Sequence, residues 1–205
     1  MKRVTTRELV FLGILSAFGV ILRLLDFPIL PAAPFLKVDL SDLTGLIGLL
    51  TSGPLGLMLV SLVRDLINYI IGGGQSGIPI GSIMSFAGTM ALFLPTHFIL
   101  KRFPSMNRWG RLILMGVAST LSLTVTLSLI NYYVALPIFV TVMNFPIDDY
   151  FGYVISLVVP FNLIKGVIVS IGQAVVIESL VPLMYKRRTL FEPYNQTLFP
   201  IRKHS

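Results

Sequence analysis

The chain has 205 residues and a mass of 22.6 kDa, one domain's worth of protein. Hydrophobic residues make up 55% of it and charged residues 12%, with a mean hydropathy of +0.86. A soluble domain carries about 25% charged residues, so a water-exposed globule, a disordered chain and a collagen are excluded, and an all-α polytopic membrane protein remains. There is no cysteine and only His97 and His204 as histidines, which excludes disulfides, thiol catalysis and cysteine-ligated metal and argues against any metal site.

Lys2, Arg3 and Arg7 precede the first apolar stretch. No small-residue cleavage site follows it, so the segment reads as a retained first helix from about Leu9 to Leu25. Residues 26–39 hold Pro28, Pro31 and Pro34, which block a helix. This loop is almost wholly apolar from 27 to 36, which suits either a lid over a pocket or a segment lying on lipid headgroups. A second helix of about Ser41 to Thr51 is short for a bilayer core of roughly 30 Å and reads as tilted or interfacial. Ser52-Gly53-Pro54 breaks it, and a third helix runs from about Pro54 to Ile71. The glycine-rich loop that follows, up to Gly81, lacks the lysine ending of a phosphate-binding loop. It is either a flexible turn or a close-approach backbone site for a ligand.

The fourth helix spans about Gly81 to Leu100, and a basic turn leads to the fifth near Leu112. Pro137 is predicted to end or kink helix five. After a loop at 141–152, helix six runs from about Tyr153 to Tyr185, interrupted by Pro160 and Pro182. Six crossings place both termini on one side. That side would hold Lys2, Arg3, Arg7, Lys101, Arg102, Arg108, Arg111, Lys186, Arg187, Arg188, Arg202 and Lys203, which are 12 of the 16 basic residues. The opposite loops would hold Asp26, Asp39, Asp42, Asp148 and Asp149, with Lys37 as the loop cation. The asymmetry predicts cytoplasmic termini and accounts for the net charge of +7 without nucleic acid. Residues 1–188 then form one six-helix membrane domain, and 189–205 a cytoplasmic tail.

A charge inside hydrocarbon is costly unless paired or wet. Lys165 lies about a dozen residues into helix six, with Asn162 one turn before it. Asn131 lies in helix five, followed by Tyr132 and Tyr133. These residues at similar depth could line one polar cavity; alternatively, the amides bridge helices and Lys165 meets a carboxylate from elsewhere, since none is local. Arg64 and Asp65 are adjacent on helix three and so point apart, which predicts structural ion pairing with other partners. Snorkelling suffices for Glu178, and a packed neutral ring for His97. Gly13 and Ala17 form a small-residue pair through which another helix can approach. No nucleophile–base pair or facing carboxylates suggest an enzyme.

The stretch from Phe27 through Pro-Ile-Leu-Pro-Ala-Ala-Pro-Phe-Leu-Lys-Val-Asp-Leu-Ser to Asp42 resembles the first external loop of riboflavin-binding S components of energy-coupling factor (ECF) vitamin transporters. Residues 73–81, 129–137 and 160–166 resemble the same family in the same order. The resemblance covers roughly residues 8–185. It implies a bacterial plasma-membrane protein that binds riboflavin from outside, topples within the bilayer and releases the vitamin inside. The drive would come from a membrane coupling protein and two cytoplasmic ATPases, with riboflavin as cargo and no cofactor. Asn131, Asn162 and Lys165 match polar ligand positions of the family, and 31–39 match its gating loop. Phe35, Leu36, Lys37, Asp39, Tyr132 and Gly81 complete the implied site. Gly13 and Ala17 match the small-residue pair that docks on the coupling protein. An S component for another vitamin, or a stand-alone facilitator, is the alternative.

Overall fold

The computed structural model describes residues 5–29, 36–73, 77–103 and 105–198. Helices dominate it, named here α1 Thr6–Arg23, α2 Asp42–Ser52, α3 Pro54–Gly72, α4 Ile80–Arg102, α5 Arg108–Met143, α6 Tyr150–Lys186 and α7 Glu192–Leu198. The start of α1 is a capping box, in which Thr5 and Glu8 bond each other's backbone N–H. Side-chain oxygens of Asn107 and Asp149 cap α5 and α6. A two-residue antiparallel ladder, β1 Phe27–Pro28 with β2 Lys37–Val38, lies between α1 and α2.

Four helices, α3 to α6, are long and apolar enough to cross a membrane. The outward face of α5 carries Ile113, Val117, Leu121, Val125 and Leu129, all exposed at four-residue spacing. Met115, Ser119, Leu123 and Leu127 line its inward face at the same spacing. An apolar outward stripe on a helix whose inward face carries Ser119 suits contact with lipid rather than water. α1 has 18 residues but carries Arg7, Glu8 and Arg23.

The proline at 137 neither ends α5 nor breaks it. A π-helical turn over Asn131–Ala135 precedes Pro137, and another over Val154–Val158 precedes Pro160. A proline lacks the N–H of the ladder and its ring crowds the carbonyl one turn back; widening the helix at that turn relieves both and lets it run on. Pro182 likewise lies within continuous α6.

Small residues set the helix spacing. Gly48 and Gly56 face each other across the α2–α3 hairpin, and a Cβ built on Gly56 would lie 2.2 Å from the Gly48 carbonyl. Gly53, at φ 68°, makes the turn between them in the left-handed region that favours glycine. α5 and α6 are antiparallel, with Gly166 against Thr120 and the Ser170 hydroxyl donating to the Gly116 carbonyl at 3.2 Å.

The second helix is short because it starts inside the bundle. Asp42, its first residue, contacts Arg64, Thr89 and Lys165, which lie near the middles of α3, α4 and α6. At 1.5 Å per residue, α2 traverses about half the bundle, from its centre to the end where α3 begins. Residues 189–198 close that same end. Leu190 and Tyr194 belong to the main apolar core with Leu46, Leu50, Leu100 and Met115, and the Phe191 N–H donates to the Leu50 carbonyl at 2.7 Å.

Candidate functional site

The half-length of α2 puts a helix N-terminus in the middle of the bundle, and a network of charges gathers there. Arg64 is fully buried. Its Nε and Nη2 donate to the two oxygens of Asp65, each at 3.0 Å, and its Nη1 donates to Asp42 Oδ1 at 3.2 Å. The adjacent pair Arg64 and Asp65 therefore do meet, because the long guanidinium folds back alongside its own helix. Arg23 of α1 donates to Asp65 Oδ1 and to the Ser85 hydroxyl, both at 2.8 Å. Thr89 adds its hydroxyl to Asp42 Oδ1 at 2.5 Å.

From the other side of the bundle comes Lys165, whose Nζ stands 3.1 Å from Asp42 Oδ2. The lysine thus has a carboxylate from a distant element. Burial is tolerable because Coulomb attraction and hydrogen bonds offset the loss of water around each charge. Asp42 joins α2, α3, α4 and α6 in one cluster, and Arg23 extends it to α1.

Asn162, one turn before Lys165, is buried, and its side-chain oxygen has no hydrogen-bond partner among the described residues. Such an acceptor costs about 1–3 kcal/mol when left unmet. Asn131 is buried at the start of the π-helical turn, and its Nδ2 donates to the Leu127 carbonyl at 2.7 Å. The α5–α6 register, Gly116 with Ser170 and Thr120 with Gly166, puts Thr124 opposite Asn162. Asn131 is seven residues further along α5, so the two amides differ in level by roughly 10 Å rather than sharing one depth. The π-helical turns of α5 and α6 touch at about the level of Asn131.

Tyr132 is half-buried, edge-on to Tyr133 with ring centroids 4.8 Å apart, and packs near Leu136, Val154 and Val158. Leu36 is half-buried. Lys37 is exposed and bonds Asp26 at 2.9 Å across the short ladder. Asp39 Oδ1 accepts from the Ser41 N–H at 2.8 Å and so shapes the turn into α2. A Cβ on Gly81 would meet nothing within 4 Å among the described residues. Phe35 and most of the apolar loop, 30–35, lie outside the described residues, as do 74–76 of the glycine loop. Gly13 and Ala17 sit on the exposed face of α1 beside Val10, Ile14 and Ile21.

Other polar residues have structural partners. Glu178 pairs with Arg108 of α5 rather than with the basic residues after α6. His97 Nδ1 lies 2.7 Å from the hydroxyl of the fully buried Tyr194, and Arg111 donates to the Thr197 carbonyl at 2.9 Å. Sequence reasoning missed the roles of Asp42, Thr89, Ser85 and Arg23. The available signal was the presence of ionisable residues on apolar helices, each of which demands a partner at its own depth.

A family model described as "ECF transporter, substrate-specific component" matches residues 7–177. The chain belongs to that family. Its members are the substrate-binding subunits of transporters, not enzymes. The chain is 34% identical to the riboflavin transporter RibU of Streptococcus thermophilus over 88% of this chain and 86% of that protein. It is 29% identical to the riboflavin transporter FmnP of Bacillus subtilis, over 89% of this chain and 96% of that one. A solved S component of a bacterial ECF transporter superposes with a TM-score of 0.70 at 28% identity, covering 87% of this chain and 97% of that one. The chain is thus a multi-pass membrane S component.

Proposed function

We propose that this S component captures riboflavin from the external side of a bacterial cell membrane and delivers it to the cytoplasm. Similarity to riboflavin transporters along nearly nine-tenths of the chain carries the reading. The charge asymmetry of the loops supports six crossings with both termini inside.

The residues suit the chemistry. An isoalloxazine ring is broad and flat, with an imide edge and carbonyl oxygens. An asparagine amide both donates and accepts, which matches an imide, and a lysine ammonium donates to oxygen or nitrogen. Asn162 and Lys165 offer these groups at mid-bundle, and Asn131 lies about two turns away, a span that a three-ring system can bridge. Leu36, Tyr132 and Phe35 would cover the ring faces. Lys37, Asp39 and Gly81 would line the entrance, under the loop from Pro31 to Asp39 as its gate. The ion pairs around Arg64 would hold the floor of the site rigid. With energy supplied by a membrane coupling protein and two cytoplasmic ATPases, the exposed α1 face at Gly13 and Ala17 would be the docking surface.

The test is riboflavin binding by the protein purified in detergent, read by visible absorbance and by quenching of flavin fluorescence. Wild-type protein should bind, and Lys165→Ala and Asn131→Ala should each bind more weakly. Loss of one charge-assisted hydrogen bond corresponds to about 1.5–3 kcal/mol, or roughly 10- to 150-fold. Unchanged affinity in both variants would refute the site, and no binding by wild type would refute the vitamin.

A further inference from the structure

Asp42 does more than pair with Arg64, since it also meets Lys165. Asp42 is almost completely buried, at the first position of a helix that starts in mid-bundle. One of its oxygens is held on the far side from Lys165, by Arg64 Nη1 at 3.2 Å and the Thr89 hydroxyl. Arg64 is itself clamped by both oxygens of Asp65, which Arg23 and Ser85 bond in turn. The carboxylate therefore cannot rotate freely, and its Oδ2 is presented to the Lys165 ammonium at 3.1 Å.

A lysine side chain has a flexible four-carbon stem, and in a membrane it tends to snorkel toward water. An ammonium also has three donors. Pairing the ammonium with a fixed carboxylate at 3.1 Å restricts the side chain before any ligand arrives. Preorganisation of this kind raises affinity by removing an entropic cost from the binding step.

We infer that Asp42 is a positioning residue for substrate, acting through Lys165 and itself oriented by Thr89 and Arg64. This rests on the reading of Lys165 as a riboflavin contact. A merely structural role, in which Asp42 staples α2 to α6, predicts something different. It would change stability, and any effect on binding would be independent of what stands at 165.

The experiment is a double-mutant cycle read by flavin fluorescence quenching, on Asp42→Asn, Lys165→Met and the double variant, with thermal midpoints measured alongside. Asp42→Asn keeps a neutral oxygen toward Arg64 and Thr89 but removes the charge facing Lys165. The expected result is a loss of riboflavin affinity of roughly tenfold or more in each single variant, and no further loss when Asp42→Asn is added to Lys165→Met. Should Asp42→Asn fail to fold, Thr89→Val takes its place, since it keeps every charge and removes the hydroxyl that bonds the carboxylate and accepts from Arg64 Nη2 at 2.9 Å. It should weaken binding several-fold with Lys165 present and not at all with methionine there. Wild-type affinity in Asp42→Asn or in Thr89→Val, or losses that multiply in the double variants, would overturn the inference. Wild-type affinity in Lys165→Met would overturn it while leaving riboflavin as the substrate. Failure of the wild-type protein to bind riboflavin would overturn both.

Discussion

Replacing Gly166 with alanine tests the α5–α6 contact, next to Lys165. A Cβ there would lie 2.8 Å from Thr120 Cγ2, 2.9 Å from its Cα and 2.9 Å from its Oγ1. A side-chain methyl or hydroxyl can rotate away, but a Cα cannot, so the helices themselves must separate by some tenths of an ångström. Overpacking of this kind costs about 1–3 kcal/mol. Alanine is also a better helix former than glycine, by about 1 kcal/mol, which would mask part of the loss. The Gly116→Ala variant removes that ambiguity. It lies on the same interface and gains the same propensity, yet its Cβ would come no closer than 3.4 Å to Ser170, an ordinary contact. The difference between the two variants therefore isolates the packing cost. Thermal midpoints in detergent should fall by several degrees for Gly166→Ala relative to Gly116→Ala, and riboflavin affinity should fall with them, because Asn162 and Lys165, the proposed contacts, ride on the displaced helix. Equal midpoints would show that α5 and α6 do not approach as described.

Three further outcomes are expected. Tyr194→Phe removes the hydroxyl that meets His97 at 2.7 Å, so it should cost about 1 kcal/mol of stability while leaving riboflavin affinity unchanged. Burial pushes the Tyr194 phenol up from its usual value near 10; the docked form keeps a proton that a released tyrosine would lose, so docking of α7 weakens as pH rises through about 10 and is unaffected below it. Alkaline titration followed by tyrosinate absorbance checks this, since deleting Tyr194 should leave the groups that ionise near 10 unaltered in the folded protein. Ala17→Leu, on the exposed face of α1, should preserve riboflavin binding and reduce recovery of the proposed complex with a coupling protein and ATPases; full recovery would refute docking through that face.

Most of the helices were legible in the chain because hydrophobic runs, prolines and glycines act over a few residues. The start of α3 at Pro54 and the breaks at 52–54 and near 73 follow from local rules of that kind. Pro137 and Pro160 were harder to read. Whether a proline ends a helix or is absorbed by a π-helical turn depends on whether neighbouring helices hold the continuing segment in place. Asn131, Asn162 and Lys165 could be picked out because polar groups on apolar helices are costly wherever they fall. Their mutual positions could not, since the difference in level between Asn131 and Asn162 follows from where Gly166 meets Thr120.

By itself, then, the sequence determined a helical membrane protein with polar residues to satisfy, because hydropathy and backbone constraint are properties of short segments. Tertiary structure alone decided that α2 begins in mid-bundle, that Lys165 meets Asp42 from the far side of the chain, and that residues 190–198 cap the core. Each of these depends on groups distant in sequence meeting in space. Burial makes such pairing obligatory, because a charge or a large apolar ring removed from water must find its partner wherever the packed helices bring one within reach.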